Sequence, residues 1–375
     1  MIQTLNKQAD VLLITAMWDE LQPLIEEFEE HKGNWEYLQS SSDYPYYFKS
    51  LTSHSGTKFT LAATNAPLMG KEMASIISMS LISDLKPSFL VMSGICAGLK
   101  DKVSLGDIIV ADVVFNYEYG KLETKKDGTE DFYFDLRQSE LNPKIKPLVE
   151  NFKSNWYSPL IDKKTPPLSI QEQWVIEKFF KNKSITIQEI MSDPEFDLKC
   201  PNWTEVLTRL RAKDKKLVNQ KSLSLTKKGD AFYNKLIEYH PKGFKSPPFK
   251  IHIEPIASGD RVVEDENVFK RLKKVSRKVL GLDMEASAIG KVANFQDLIF
   301  IVAKGVVDFA DRDKDDSFRK FSASISAKFL LDFLCRNYEK IDVKKKQIIN
   351  IYASEVHINI YRIANDELLK ELKDQ

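Results

Sequence analysis

From Leu298 to Val307 the chain reads LIFIVAKGVV, with Lys304 as its single charged residue. So apolar a run fits an inner strand of a parallel sheet, covered on both faces. Acids flank it: Asp283 and Glu285 lie upstream, and Asp308 and Asp311 follow just downstream. Ligand crevices open at the carboxyl ends of such strands, which puts these acids where chemistry is done. Taken singly, an Asp after a strand more often caps a helix or solvates a loop. The weight therefore falls on the company these acids keep.

DVLLITAM (10–17), FTLAATNAP (59–67) and SFLVMSGICAG (88–98) read as further strands, and GKEMASIISMSLISDLK (70–86) has apolar residues at helical spacing. Strand, helix, strand in that order is a right-handed parallel crossover. GDIIVADVVF (106–115) and FKIHIEPIASGD (249–260) are also extended, DMEASAIGKVANF (283–295) is a helix of small residues, and SFRKFSASISAKFLLDFLCRNY (317–338) is a long amphipathic helix. From Lys121 to about Ser246 charged helices replace the crossover strands. Three helix candidates, at 171–182, 185–193 and 203–217, precede a short hairpin that runs into a helix over 218–239. Three helices and a β-wing is the plan of a winged-helix unit. With sheet strands on both sides, this unit reads as an insertion. The tail 341–375 alternates charged and apolar residues and suggests no purpose.

A chain of 375 residues, 43% hydrophobic, has room for one large α/β domain and a smaller unit. A formal net charge of +1 argues against a protein that coats nucleic acid. Cys96, Cys200 and Cys335 match no metal or redox spacing, and five scattered histidines argue against zinc, so no metal or other cofactor is expected. The chain lacks a basic-then-apolar leader and a membrane-length apolar run, and the expectation is a soluble cytoplasmic protein with no membrane partner.

ITAMWDE (14–20) carries a strand into a helix with acids in its first turn, a place that also suits the helix dipole. Together with MSGICAGL (92–99), LGDIIVAD (105–112), ASGD (257–260), LDMEASAI (282–289) and KGVVDFAD (304–311), it forms an ordered set. That set resembles the nucleoside phosphorylase and nucleosidase superfamily over roughly 10–120 and 249–335, in particular the hydrolytic branch with the methylthioadenosine/S-adenosylhomocysteine nucleosidases. The resemblance implies an α/β fold, a nucleoside phosphorylase-like mixed sheet flanked by helices, with an inserted helical, winged-helix-like domain. The expected domains are 1–120 with 247–340 as the nucleosidase, 121–246 as the insertion (its winged unit at about 167–245), and 341–375 as a tail.

Site residues follow from the same likeness. Glu20 would orient the attacking water, Asp308 would protonate the purine at N7, Glu285 would take the ribose hydroxyls, and Met284 would pack on the nucleoside. Gly94, Ile95 and Cys96 fall in the turn that shapes the ribose and base floor, and Asp283, Val262 and Lys304 complete the implied substrate-binding set. The chemistry accounts for these residue types by itself. Breaking a purine N-glycosidic bond builds positive charge on the ribose and negative charge on the base. An acid at the base and a carboxylate beside the water answer both, each worth about 10²–10⁴-fold.

Departures refine the substrate. TAMWDEL has neither a glycine-rich loop nor arginines to hold phosphate, so water is the expected nucleophile. Val307 stands where the methylthioadenosine type has Ser, and Lys304 where it has Arg. KGVVDFADRDKDDSFRKFSA is closer to the nucleosidase domains of immune proteins, associated with removing adenine from ATP or related nucleotides. ATP or AMP is therefore the favoured substrate, in a setting of antiviral defence, and methylthioadenosine or S-adenosylhomocysteine the alternative. Phosphates need cations. Lys71, Arg261, Arg312, Lys304 and Lys314 are the candidates, the first two ranked highest because their turns adjoin strand ends. A homo-oligomer, dimer or higher, is also expected. The helix at 203–217 carries Arg209, Arg211, Lys213, Lys215 and Lys216. Such a helix is more often a solvated face, yet it leaves open a protein or DNA partner, or a nucleotide-sensing DNA-binding regulator.

Overall fold

A computed structural model describes residues 7–29, 34–128, 130–239, 248–265, 267–311 and 318–341. Its strands are β1 (Val11–Thr15), β2 (Glu36–Gln39), β3 (Pro45–Thr52), β4 (Lys58–Asn65), β5 (Phe89–Gly98), β6 (Ile108–Val110), β7 (Val113–Asn116), β8 (Gly120–Thr124), β9 (Glu130–Phe134), β10 (Gln138–Glu140), β11 (Ile251–Ile253), β12 (Ile256–Ser258), β13 (Gly281–Asp283) and β14 (Ile299–Asp308). Its helices are α1 (Trp18–Glu29), α2 (Lys71–Leu85), α3 (Lys146–Asn155), α4 (Leu168–Lys181), α5 (Ile187–Met191), α6 (Phe196–Lys199), α7 (Trp203–Arg211), α8 (Lys227–Tyr239), α9 (Val268–Leu272), α10 (Ala286–Phe295) and α11 (Arg319–Ile341). No described helix is long and apolar enough to cross a membrane.

All these strands except the β8–β9 hairpin join one mixed sheet, ordered β10-β7-β12-β13-β5-β1-β4-β3-β2, with β14, β6 and β11 branching from β5. The pivot is β5. Its first half runs parallel between β1 and β14, with Leu90 beside both Leu12 and Phe300. Its last residues, Ala97 and Gly98, pair antiparallel with Leu282 and Gly281 of β13. The sheet therefore opens into two branches at the carboxyl end of β5, and the gap between them is the natural place for a ligand.

Period-two alternation sends the strand side chains into two cores. Leu12, Ile14, Leu90 and Met92 pack with Ala74, Ile77 and Leu81 of α2 and Ala286, Ile289 and Ala293 of α10. Val11, Leu13, Phe89 and Val91 face the other way, toward α1, α3 and α11. The small residues predicted over 283–295 have a steric reason: a Cβ on Gly290 would come within 2.5 Å of Val114 and 2.7 Å of Ser139.

Two expected strands are each split. The 106–115 segment breaks after Val110, and the 249–260 segment breaks at Glu254–Pro255, where proline has no amide to continue a ladder. The halves go to different branches: β6 pairs with β11 and β14, while β7 pairs with β12 and β10. Residues beyond 121 still join the main sheet and its helical layer. Ser139 lies opposite Val114 in the sheet, and Phe152 of α3 packs on Phe329 and Phe333 of α11, with ring centroids 5.4 and 5.5 Å apart. Trp156 Nε1 donates to Asp332 Oδ2 at 3.0 Å. The main body thus runs through about Trp156, and the charge-rich surface of the β8–β9 hairpin hides that continuity in the sequence.

Helices α4 to α8 pack around a core of their own, with Leu168, Trp174, Phe179, Val206, Leu210 and Tyr233 among its members. A hairpin held by the bridge Val218–Leu225 separates α7 from α8. The tail from 342 lies outside the described residues, as does Arg312.

Candidate active site

A pocket opens where the sheet divides, walled by Ala16, Met17 and Glu20 at the end of β1 and start of α1, Met69 before α2, Ile95 to Ala97 of β5, Arg261 to Val263, Leu282 to Glu285, Val307 and Asp308 of β14, Ala310, and Arg319. The strand register explains this gathering. Ala97 is flanked by Leu282 on one side and Asp308 on the other, so the segment carrying Met284 and Glu285 faces the end of β14 across β5. The ladder slips between Val306 and Asp308, leaving Val307 as a bulge residue. Bulges of this kind re-aim a side chain next to a site.

Glu20 is 2% exposed. Its Oε2 accepts the Ala16 amide at 2.8 Å and its Oε1 the Ile95 amide at 3.0 Å. Burial raises its pKa, against Lys304 and these two amides. The carboxylate fits only because residue 94 is glycine: a Cβ there would lie 2.8 Å from both carboxylate oxygens. Glu285, 4% exposed, accepts the Gly70 amide at 2.9 Å. Burial pushes its carboxyl up to about 7, with Asp283 and Glu20 adding to the rise and Lys304 opposing it. Asp308 Oδ1 accepts the Ala310 amide at 2.8 Å.

Asp283 has a bracing role. It accepts the Ser258 hydroxyl at 2.7 Å and the Ala286 amide at 3.0 Å, so it ties β12 and the first amide of α10 to the end of β13 while also lining the pocket. Lys304 is fully buried, its Nζ 3.4 Å from Asp283 Oδ2 and 3.9 Å from Glu285 Oε2, with no hydrogen bond. Burial works to lower its pKa, but Asp283, Glu20 and Glu285 outweigh burial and hold it above the usual value. Among the described residues no group of three or more His, Cys, Asp or Glu could hold a metal ion.

The model of a protein family described as the phosphorylase superfamily matches residues 10–158. Over that stretch the chain is similar to the phosphorylase superfamily. It is 24% identical over 324 residues to an uncharacterised Sinorhizobium fredii protein, covering 85% of this chain and 60% of that one. It is 22% identical over 266 residues to the Escherichia coli ATP nucleosidase Cap17, covering 71% and 39%. The chain thus spans between 39% and 60% of the length of these relatives. The Helicobacter pylori 5′-methylthioadenosine/S-adenosylhomocysteine nucleosidase, solved with a pyrrolidine ligand, superposes with a TM-score of 0.50 at 14% identity, covering 88% of this chain and 98% of that one. That likeness is one of fold.

Of the site residues expected from sequence, Glu20, Ile95, Cys96, Val262, Asp283, Met284, Glu285 and Asp308 lie on the pocket wall. Gly94 and Lys304 lie behind it, the glycine seating Glu20 and the lysine facing Asp283 and Glu285. Burial drives the Cys96 thiol well above its ordinary pKa, so it is an inert wall group. Of the phosphate candidates, Lys304 is fully buried against Asp283 and Glu285 and so cannot reach a phosphate at the mouth, Lys314 lies outside the described residues, and Lys71 is off the wall and held by Glu118 at 3.2 Å and Asp260 at 3.0 Å. Arg261 is on the wall with an 86% exposed side chain. Arg312 lies outside the described residues. Sequence reasoning missed Arg319. It reaches the wall from the first turn of α11 while its Nε donates to Asp19 Oδ2 at 2.5 Å. Its signal was its place inside the segment quoted after Asp308, read there only as the start of a helix.

Proposed function

We propose that the chain hydrolyses the N-glycosidic bond of an adenine nucleotide, ATP or AMP, to release adenine. The observation that carries this reading is the layering of charge in one pocket. Glu20 and Glu285 are almost completely enclosed, while the basic groups of the described wall, Arg261 and Arg319, have side chains 86% and 37% exposed. A ligand with a polar sugar inside and an anionic end outward matches that gradient.

The geometry supports a role for each residue. Both oxygens of Glu20 are pinned by backbone amides, so the carboxylate keeps its aim, and partial desolvation makes it a better base toward a water at the anomeric carbon. Glu285 accepts the ribose 2′- and 3′-hydroxyl hydrogens with its remaining lone pairs. Asp308 delivers a proton to N7 as the base departs, so the leaving group is neutral adenine. Water supplies the hydroxyl that completes the sugar, and Glu20 takes its proton.

A second reading is favoured by the apolar groups Met17, Met69, Val262 and Val263 on the same wall. They suit a 5′-thioether, and so a methylthioadenosine-type substrate. A DNA-binding regulator is less favoured. Three of the five basic residues assigned to α7 and its continuation are spent within the unit: Arg209 and Lys215 on Glu172, both at 2.8 Å, and Arg211 on the carbonyls of Asn219 and Ser222. An ATP-destroying enzyme must be held back in a resting cell, which suits a role in antiviral defence. Incubating the purified chain with ATP, AMP, adenosine and methylthioadenosine, then measuring free adenine, tests the proposal. Adenine from methylthioadenosine alone would select the second reading, and none from any substrate would reject both.

A further inference from the structure

The two stems of the inserted unit meet at one carboxylate. Asp107 is 1% exposed and sits in the turn just before β6. From the incoming stem, Lys164 Nζ approaches Asp107 Oδ1 to 3.9 Å. From the returning stem, the Lys250 amide donates to Oδ1 at 3.0 Å and His252 Nε2 lies 3.0 Å from Oδ2. The Ser104 amide completes the set at 3.0 Å from Oδ2. Lys164 is itself enclosed, and its Nζ makes no hydrogen bond. Burial lowers its pKa, and Asp107 is the group that opposes this.

The same turn is fastened to the strand that ends in Asp308. The Gly106 amide donates to Val306 O at 2.7 Å, and the Val306 amide donates to Asp107 O at 2.8 Å. Val306 directly precedes the bulge from which Asp308 projects. Gly106 has a φ of +81°, and a Cβ there would meet Phe321 of α11 at 2.8 Å and Lys164 Cε at 2.9 Å. The turn is therefore clamped between α11 and the incoming stem. Packed arrangements of this kind respond to a displacement as a unit rather than by gradual deformation.

Neither Asp107 nor Lys164 nor His252 is on the pocket wall, and no step proposed above uses them. We propose that Asp107 is a positioning residue through which the inserted unit controls the seat of Asp308. Stems docked on Asp107 fix the turn, the turn fixes Val306, and Val306 fixes the bulge that aims the acid. Glu285 and Met284 follow β13 on the opposite side of β5, outside this chain of contacts. The unit's influence is then read in kcat and not in KM. The activity part of this proposal rests on the nucleosidase reading.

The test uses the full chain with Lys164→Met, Asp107→Asn and the double variant. Amide hydrogen exchange is followed without substrate, and adenine release with it. Exchange at Gly106 and Val306 should quicken by about tenfold or more in each variant that retains wild-type circular dichroism. The turnover number should fall by about tenfold with KM held within about twofold, the double variant being no worse than Asp107→Asn alone. Faster exchange confined to the stems, with Gly106 and Val306 unchanged, would overturn the proposal. So would a rise in KM at constant kcat. If the wild-type chain releases no adenine from any compound, the nucleosidase reading fails, while exchange at the two amides still decides whether the stems govern the turn. Should Asp107→Asn not fold, Lys164→Met, which removes only the charge at 3.9 Å, carries the same comparison.

Discussion

Lys304 Nζ lies 3.4 Å from Asp283 Oδ2, behind the pocket and out of contact with solvent. The pair joins β14 to β13 across β5, the strands that bring Asp308 and Glu285 to the same cavity. Lys304 is thus the counter-charge that lets Asp283, Glu285 and Glu20 share a small buried volume. Its reach is electrostatic: it opposes the burial-driven rise in pKa at both Glu20 and Glu285.

Replacing Lys304 by Met should therefore have two effects. Removing one partner from a buried ion pair costs about 3–5 kcal/mol, to be read as a lower urea midpoint. The carboxyls of Glu20 and Glu285 should also rise further, moving the pH profile of kcat/KM toward the alkaline side. A variant with wild-type stability and an unshifted profile would show that the lysine is no counter-charge.

Glu285 gives the pH dependence its sign. Its folded value of about 7 exceeds the ordinary 4.5, burial being the main cause. The folded chain holds the extra proton between those values, so this group's contribution to stability is complete below the unfolded pKa and is lost as pH rises through about 7. Binding runs the other way. Ribose hydroxyls donate hydrogen bonds and need the ionised carboxylate, so KM should fall as pH rises through about 7. Glu285→Gln should raise KM, lower kcat and flatten that dependence. A Glu285→Gln profile that still follows wild type would assign the titration elsewhere.

Much of the site was legible because the informative residues sit at strand ends, where apolar runs stop against isolated acids. LIFIVAKGVV followed by Asp308, and ITAM followed by Glu20, mark such ends directly. What the sequence hid is three-dimensional. Lys71 adjoins a strand end but is captured by Glu118 and Asp260, which approach from other segments. Arg319 starts a helix and gains its place at the pocket only because α11 packs back over β14 and α1. The sheet's continuation through β10 and α3 was masked by the charged hairpin before it, since local composition speaks for solvent exposure and says little about which segments return to the core.

Asp308→Asn should lower turnover by about 10²–10⁴-fold while leaving KM near wild type, since the amide keeps the shape but cannot deliver the proton. Glu20→Gln is expected to behave differently from a simple loss of base. Both Glu20 oxygens accept backbone amides, and glutamine would turn an NH₂ toward one of them. That variant should lose turnover and also about 1–3 kcal/mol of stability for the unsatisfied donors. Thermal denaturation beside steady-state kinetics separates the two cases, and equal stability of both variants would contradict the pinned geometry.

The arginines at the mouth supply the sharpest test of substrate choice. Arg319 is on the wall and bonded to Asp19, an exposed acid whose hold a phosphate can replace. A hydrogen bond to a charged group is worth about 1.5–3 kcal/mol, so Arg319→Gln should lower kcat/KM for ATP roughly 10- to 100-fold. Adenosine has no phosphate to lose and should change by only about twofold. Because Arg319 also ties α11 to the turn beside Glu20, the adenosine reaction reports any disturbance of Glu20 itself. Lys71→Ala provides the contrast. Its ammonium is already engaged by Glu118 and Asp260 away from the wall, so ATP and adenosine should be affected alike. A selective loss with ATP in Lys71→Ala and none in Arg319→Gln would move the phosphate site to the start of α2 and overturn the assignment made to the mouth.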